Sequence, residues 1–191
     1  MVMNFEGYRR PKGKAGVRNH VLVIPSVVCS QGAAEAITRN VKGAVYLANV
    51  FGCAQVGDDR EQTKRTLVGF GTNPNVFAVL VVGNGCENLP AKEVAEAIAP
   101  SGKRVEFIEI QEVGGTKKTI AKGKRIIREM LADAAALHRE PIPLSEMILA
   151  GKGRDGPLNT IDIVAYRVPI PGPDIRSTLE TYGLYFAFGG E

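Results

Sequence analysis

The sequence has few aromatic residues and no massed charge of either sign. Tryptophan is absent and aromatic residues make up 6% of the chain, while 24 Lys and Arg residues oppose 20 Asp and Glu residues in a scattered distribution. Nucleic-acid-binding surfaces combine a basic face with interleaved aromatic side chains. We therefore expect no nucleic-acid partner. The slight excess of positive charge suits small anionic substrates instead.

Long apolar segments are also missing. The sequence contains no run of about 18 apolar residues, the length at which a membrane-spanning helix is suspected. Residues 1–14 are charged and rich in turn formers, without the apolar stretch of a secretory signal. These two absences predict a cytoplasmic protein that has no membrane partner.

Cysteine is scarce, and its number and spacing argue against two kinds of site. Cys29, Cys53 and Cys86 are an odd number of cysteines, which disfavours a disulfide framework. None of them belongs to a CxxC pair, which disfavours a structural zinc site. The sequence also lacks P-loop spacing and a GxGxxG fingerprint, so we expect no nucleotide binding.

Apolar segments rich in β-branched residues alternate with segments of helical spacing. Four strands are predicted, at residues 20–28, 44–50, 76–83 and 104–110, the last nearer to a sheet edge. Four helices are predicted, at residues 30–39, 58–70, 90–99 and 116–138. Ser30 is the predicted cap of the first helix, and Asp58 or Asp59 that of the second. The alternation predicts an α/β fold: a mainly parallel sheet of about four strands with helices on both faces, in a Rossmann-like three-layer arrangement.

The two ends of the chain differ in character from its middle. Residues 1–19 are predicted to form an irregular arm, residues 20–150 the α/β domain and residues 151–191 a divergent, irregular tail. Within that tail, residues 161–168 could form a strand and residues 178–183 a short helix or turn.

Each cysteine follows a predicted strand: Cys29 the first, Cys53 the second and Cys86 the third. Since the carboxyl ends of parallel strands meet at one edge of a sheet, we expect the three thiols to gather where such folds bind ligands. There they could hold a metal or act as nucleophiles. The alternative is that each cysteine is a small buried apolar residue. The glycines next to Cys53 and Cys86 favour a functional role, because they let the backbone approach a ligand closely.

Three further features could supply polar groups. Glu87, beside Cys86, could bind a divalent cation or shuttle a proton, or could be a solvated loop acid. Residues 111–116 open the last predicted helix, whose exposed N–H groups could bind a carboxylate or a phosphate. His20 begins the first strand and is either a site residue or a structural histidine.

Four segments, taken in order, resemble the N-terminal part of the large chain of the altronate/galactarate dehydratase family. They are residues 7–29 (GYRRPKGKAGVRNHVLVIPSVVC), 51–59 (FGCAQVGDD), 73–87 (NPNVFAVLVVGNGCE) and 110–120 (IQEVGGTKKTI). The large subunit of sulfolactate sulfo-lyase shares the pattern. The resemblance extends over residues 5–150, and four ordered blocks are more specific than any one of them.

The resemblance implies a hydro-lyase, which removes water from a sugar acid to give a 2-keto-3-deoxy acid with the help of iron(II) or a similar divalent metal. Such chemistry needs a base, a cation that stabilises an enolate-like intermediate, and an acid for the departing hydroxyl. Carried over by position, the catalytic candidates are Cys29, Cys53, Cys86, Glu87 and His20. The candidates for binding the sugar-acid carboxylate are Arg18, Gln111, Glu112, Gly114, Gly115 and Thr116. The metal ligands are not identified.

The chain departs from the family pattern at three places. Asn49 and Asn73 stand where family members usually have histidine, and asparagine cannot act as a general base. After residues 144–147 the family continues with a Cys-Gly-Gly-Ser-Asp motif and a long glycine-rich catalytic region, whereas similarity here ends near Gly151. A frame change or truncation would produce such a tail. We therefore expect a chain that is incomplete as a catalyst on its own.

Several assignments stay open within this resemblance. The chain could serve an altronate-type dehydratase or a sulfolactate sulfo-lyase. It could instead be a non-catalytic module that binds a sugar acid or a metal, or a scaffold subunit that works only in an assembly. Two-chain relatives imply a small partner subunit that supplies an N-terminal domain, and a homo-oligomer is a further arrangement that the sequence allows.

Overall fold

The computed structural model describes residues 4–151 and 164–166. The strands, in chain order, are β1 (Asn4–Gly7), β2 (His20–Pro25), β3 (Ala44–Tyr46), β4 (Val76–Gly83), β5 (Arg104–Glu109), β6 (Glu140–Pro143), β7 (Leu149–Gly151) and β8 (Val164–Tyr166). The α-helices are α1 (Gln31–Thr38), α2 (Gly57–Thr72), α3 (Ala91–Ile98), α4 (Ile110–Val113) and α5 (Thr116–Ala135).

Four parallel strands form the central sheet, in the order β3-β2-β4-β5. The chain runs outward from β2 to β3 through α1, then returns through α2 to place β4 on the other side of β2. The sheet therefore has a topological switch point between β2 and β4, where folds of this type open a crevice at the carboxyl ends of the strands. The predicted α/β class and the parallel four-stranded sheet are confirmed, with β5 at an edge.

The two faces of the sheet carry separate cores because side chains alternate along each strand. Val21 and Val23 of β2 pack towards α1 and α5, in a cluster that includes Ile37 and Ile127. The intervening Leu22 of β2 faces the opposite side, in a second cluster. That cluster also contains buried residues of α2 and α3: Leu67, Ala91, Val94, Ala95 and Ile98. The predicted three-layer arrangement is thus confirmed.

Two predicted strands end earlier than expected. The strand predicted for residues 20–28 ends at Pro25, and the chain then enters a 3-10 turn at Val28–Ser30. The strand predicted for residues 44–50 ends at Tyr46. Three residues later, the side chain of Asn49 donates to the carbonyl oxygen of Pro25 at 2.9 Å. A side-chain hydrogen bond thus replaces the backbone hydrogen bonds between the strands.

The two predicted helix caps have different outcomes. Ser30 occupies the cap position of α1, as predicted, but its side chain makes no capping bond. Its hydroxyl lies instead within hydrogen-bonding distance of the carbonyl oxygens of Val27 (2.9 Å) and Val82 (2.7 Å). In α2, Val56 occupies the cap position, and Asp58 and Asp59 lie inside the first turn. Their carboxylates still favour the positive end of the helix dipole there.

The first segment of the chain is more regular than the predicted arm. β1 pairs antiparallel with β6 in a second, two-stranded sheet, so the N-terminal segment joins residues near the end of the α/β domain. Arg9 links the same two regions, with its Nε 2.6 Å from the carboxylate of Glu140. Tyr8 follows β1 and is bridged to Gly16 through the backbone.

Beyond residue 148 the description is limited to two short strands. β7 pairs antiparallel with β8, and β8 lies within the strand predicted for residues 161–168. The predicted short helix or turn at residues 178–183 lies outside the described residues. Among the described helices, none combines the length and apolarity needed to cross a membrane.

Candidate active site at the carboxyl edge of the sheet

Four connections meet at the carboxyl edge of the central sheet. We call them the β2 loop (residues 26–30), the β3 loop (47–56), the β4 loop (84–90) and the β5 loop (110–115, which includes the single turn of α4). Each follows a parallel strand, so all four begin at the same edge. Cys29, Cys53 and Cys86 lie in the first three of these loops.

The β2 and β3 loops touch through their backbones. The N–H of Val28 donates to the carbonyl oxygen of Phe51 at 2.9 Å. The next residue, Gly52, has a φ of 100°, and a Cβ added there would lie 2.2 Å from the carbonyl oxygen of Ser26. Only glycine fits this backbone conformation and this close approach together.

Asparagine and glutamine side chains tie the β3 loop to its neighbours. The side-chain oxygen of Asn88, in the β4 loop, accepts from the N–H of Ala54 at 2.8 Å. The side-chain oxygen of Gln55 accepts from the N–H of Gly52 (2.9 Å) and from the hydroxyl of Thr63 in α2 (3.0 Å). The Asn88 bond holds the loop that carries Cys53 against the loop that carries Cys86, and the Gln55 bonds fix the β3 loop internally and against α2.

The carboxylate of Glu87 lies beneath the β4 loop. One oxygen accepts from the hydroxyl of Ser26 (2.9 Å) and the N–H of Asn84 (3.1 Å), and the other from the N–H groups of Gly85 (2.7 Å) and Cys86 (3.0 Å). Burial opposes ionisation, but the hydrogen bonds from backbone N–H groups and from Ser26 outweigh it and lower the pKa of Glu87. Glu87 is therefore a buried, ionised and fully bonded carboxylate, not the solvated loop acid that was one alternative.

The β5 loop joins the site through Gln111, whose N–H donates to the carbonyl oxygen of Asn84 at 3.1 Å. Gly114 and Gly115 adopt φ values of 87° and 110°, which carry the chain into α5. Gly115 occupies the N-cap position of α5 and has no side chain to offer, so Thr116 begins the helix with N–H groups directed outward. This arrangement is suited to an anion.

Negative charge is concentrated on the β4–β5 side of the edge. Burial, and then the charges of Glu87 and Glu112, raise the pKa of Glu109 at the end of β5. Lys117 and Lys118, exposed next to the N-terminus of α5, bring positive charge to the same side.

The three cysteines are free and exposed, in contrast to the buried alternative. The side-chain amide of Asn84 donates to the sulfur of Cys86 at 3.2 Å. In the described part of the chain, however, no three His, Cys, Asp or Glu side chains are close enough to share a metal ion. These residues therefore do not fit, by themselves, the divalent metal that the resemblance implies.

Two predicted site residues lie at the opposite edge. His20 is the first residue of β2, and Arg18 lies just before it, whereas the cysteines follow the carboxyl ends of strands. The six residues of β2 span roughly 20 Å at about 3.3 Å per residue. Within this chain, the structure does not bring His20 and Arg18 together with the cysteines, and their roles stay predictions.

The two asparagines that replace family histidines have structural partners. Asn49 is 6% exposed and donates to Pro25, as described above, while its side-chain oxygen accepts from the N–H of Phe51 at 3.1 Å. Asn73 lies at the amino edge, near His20, and its side-chain oxygen accepts from the N–H of Asn75 at 2.9 Å. Asn49 thus shapes the β3 loop, and Asn73 is far from the cysteines.

A cleft of about 430 Å³ opens beside the β3 loop, against α2. Phe51 and Phe70 line it with exposed aromatic rings, and Gln62 and Thr66 contribute polar groups. Sequence reasoning did not identify this cleft, and it also missed Ser26 and Asn88. The sequence did contain a signal for Ser26, since it is the one hydroxyl residue within the apolar run of residues 20–28, and the structure buries it fully.

Comparisons with known proteins agree with the resemblance seen in the sequence. Residues 7–135 match the second domain of D-galactarate dehydratase/altronate hydrolase. The chain is 42% identical over 148 residues to the beta subunit of (2R)-sulfolactate sulfo-lyase from Chromohalobacter salexigens, which covers 78% of this chain and 37% of that protein. It is 36% identical over 165 residues to altronate dehydratase from Bacillus subtilis, covering 80% and 33%, and 34% identical over 151 residues to altronate dehydratase from Escherichia coli, covering 73% and 30%.

The chain thus spans about a third of the length of these curated relatives. The matched segment, residues 7–135, contains all four loops of the carboxyl edge together with Arg18 and His20. No solved structure is significantly similar to the chain.

Proposed function

Because the chain belongs to the D-galactarate dehydratase/altronate hydrolase family, we propose that its carboxyl edge forms part of the substrate site of a sugar-acid lyase. The observation that carries this proposal is the convergence of the four loops at the switch point of the sheet. Three exposed thiols and the start of a 20-residue helix are found there. The proposed reaction class is the elimination of water from a sugar acid, giving a 2-keto-3-deoxy acid.

In this proposal the carboxylate of the substrate binds at the start of α5. Gly114 and Gly115 give it access to the backbone, and the N–H groups from Thr116 onward donate to it. Gln111 and Glu112 flank this position and orient the adjacent hydroxyl groups.

The three cysteines are proposed to contact the reacting end of the substrate. A thiol can donate a proton to a departing hydroxyl and, as a thiolate, can accept one. The described residues do not by themselves hold the divalent metal that the family resemblance implies, so at least some ligands for it would come from outside them. His20 and Arg18, at the other edge, would then act in a neighbouring domain's site or have structural roles.

Assembly and location are part of the same proposal. The relative from Chromohalobacter salexigens is named as a beta subunit. By analogy, we propose that this chain works with a small subunit carrying an N-terminal domain, in the cytoplasm. A homo-oligomer is compatible with such an assembly.

The test is a chimaera of the Bacillus subtilis altronate dehydratase in which residues 7–135 of this chain replace the matching segment. Dehydration of altronate is measured anaerobically with iron(II). Activity above background supports the proposal, provided that a Cys86→Ser chimaera, which keeps the side-chain shape, loses most of it. A folded chimaera without activity contradicts the proposal.

A second candidate substrate is (2R)-sulfolactate, favoured by the 42% identity to the sulfo-lyase subunit. The matching chimaera of that subunit, assayed for sulfite release, distinguishes the two. The non-catalytic alternative is favoured by Asn49, whose buried hydrogen bonds leave no base at that position. It is supported if both chimaeras fold and bind their substrates but neither turns them over.

A further inference from the structure

The β4 loop encloses a carboxylate whose bonds are all internal. Glu87 is 9% exposed, and its two oxygens accept from the N–H groups of Asn84, Gly85 and Cys86 and from the hydroxyl of Ser26. Successive backbone N–H groups that converge in this way form an anion-binding nest. Here the anion in the nest is a side chain of the same loop.

The hydrogen-bonding capacity of this carboxylate is used up. An ionised carboxylate offers about four acceptor sites, and four different donors occupy them. A metal ion or a substrate hydroxyl could bind Glu87 only by displacing one of these donors. The displaced donor would then lose a hydrogen bond to a charged acceptor, which is costly.

The surrounding sequence is adapted to this arrangement. Gly83 precedes the loop, and a Cβ added there would lie 2.4 Å from Glu87 Oε1 and 2.9 Å from the Cβ of Ala91. Only glycine leaves room for the carboxylate. Ser26 belongs to the β2 loop, so its bond to Glu87 crosses the switch point of the sheet and connects the segments that carry Cys29 and Cys86.

We propose that Glu87 is a positioning residue: its carboxylate fixes the β4 loop against Ser26 and thereby sets the direction of the Cys86 thiol at the carboxyl edge. The inference rests on the proposed function for the importance of Cys86, and it replaces the catalytic role predicted for Glu87. It also means that the nest of the β4 loop is already occupied and is not open to the carboxylate of a substrate.

The first test uses NMR spectra of the full chain labelled with ¹⁵N. Glu87→Gln places an NH₂ group against N–H donors, so the amide signals of Gly85 and Cys86 should shift upfield and their hydrogen exchange should accelerate by roughly tenfold or more, as expected for loss of a hydrogen bond to a charged group. Glu109→Gln is the matched control, because it removes a neighbouring carboxylate that is not in the nest. Unchanged Gly85 and Cys86 signals in Glu87→Gln would overturn the proposal.

The second test compares the three thiols within one sample. Iodoacetamide labelling of Cys29, Cys53 and Cys86 is followed by mass spectrometry of peptides from the full chain. In Glu87→Gln the labelling of Cys86 should accelerate by about tenfold relative to Cys29 and Cys53, since a charged hydrogen-bond acceptor that restrains its loop is lost. Glu109→Gln should change the labelling rate of Cys86, relative to the rates of Cys29 and Cys53, by no more than about twofold. Equal acceleration of all three thiols would show a general loss of stability and would overturn the positioning role.

Ser26→Ala keeps the test decisive if Glu87→Gln does not fold. It removes one neutral donor and retains the carboxylate. The labelling rate of Cys86 relative to Cys29 and Cys53 should therefore rise, but by less than in Glu87→Gln. No change would contradict the proposed link across the switch point. Neither the NMR nor the labelling experiment involves a substrate. Each can therefore succeed or fail independently of the chimaera that tests the lyase proposal.

Discussion

Gly52 adopts a φ of 100° where the β3 loop passes over the carbonyl oxygen of Ser26. In Gly52→Ala the added Cβ would require both a strained backbone and movement of the β2 loop. We expect a loss of about 2–3 kcal/mol in the free energy of unfolding, at the upper part of the range for strained residues. Chemical denaturation measures it.

Gly32 is the control for that substitution. It lies in α1, where an added Cβ would meet no described atom within 4 Å. Gly32→Ala should stabilise the protein by about 0.5–1 kcal/mol, because alanine favours helix more than glycine does. If both variants changed stability by similar small amounts, the close contact of Gly52 with Ser26 would be refuted.

Lys103 is buried, and its ammonium group donates to the carbonyl oxygens of Gly71 (3.1 Å) and Asn73 (2.5 Å). Burial, and then the charge of Arg10, lowers the pKa of Lys103 from 10.5 to about 8. Between these values the unfolded chain binds a proton that the folded protein has released. The free energy of unfolding should therefore rise as the pH increases from about 8 to about 10.5.

Lys103→Met removes this titration. Between pH 8 and pH 10.5, the free energy of unfolding of the wild type should rise by about 3 kcal/mol relative to that of the variant. The two pKa values differ by about 2.5, and each pKa unit corresponds to 1.36 kcal/mol. Urea denaturation at pH 7, 9 and 10.5 measures the difference. A difference that stays constant with pH would show that Lys103 keeps its proton in the folded protein.

At the scale of elements, the ring of Tyr8 lies beside two arginines where the paired strands β1 and β6 adjoin the rest of the chain. The guanidinium carbons of Arg10 and Arg139 lie 5.7 and 5.4 Å from the centre of its ring. Tyr8→Ala should cost about 1–2 kcal/mol of unfolding free energy, from two cation–π contacts of about 0.5–1 kcal/mol each. Tyr8→Phe retains the ring and should cost less than half as much. Thermal or chemical unfolding that ranks the two variants equally would exclude this contribution.

The sequence predicted the elements better than their ends. Continuous apolar runs identify β2 and β4, because strands buried on both faces need no polar positions. Periodicity cannot show that Asn49 ends β3 through a bond to Pro25, since that bond joins residues 24 positions apart. The capping bond predicted for Ser30 is missing for a related reason. Val82, brought close by the fold, competes for the Ser30 hydroxyl.

For the candidate site, the sequence predicted where the cysteines lie but not how Glu87 is bonded. A parallel sheet places everything that follows its strands at one edge, so the positions of Cys29, Cys53 and Cys86 followed from the strand predictions. The state of Glu87 did not follow, because its bond to Ser26 joins residues 61 positions apart. His20 was grouped with the cysteines by motif, although its place at the start of β2 puts it at the other edge.

For the whole molecule, the central claim is that the carboxyl edge binds a sugar acid. The most direct measurement is an NMR titration of the ¹⁵N-labelled chain with altronate, galactarate and (2R)-sulfolactate. We expect saturable shifts of the amide signals of Gly114, Gly115 and Thr116, together with those of the cysteine loops. Shifts confined to the amino edge around Arg18 and His20, or no saturable shifts with any of the three acids, would contradict the claim.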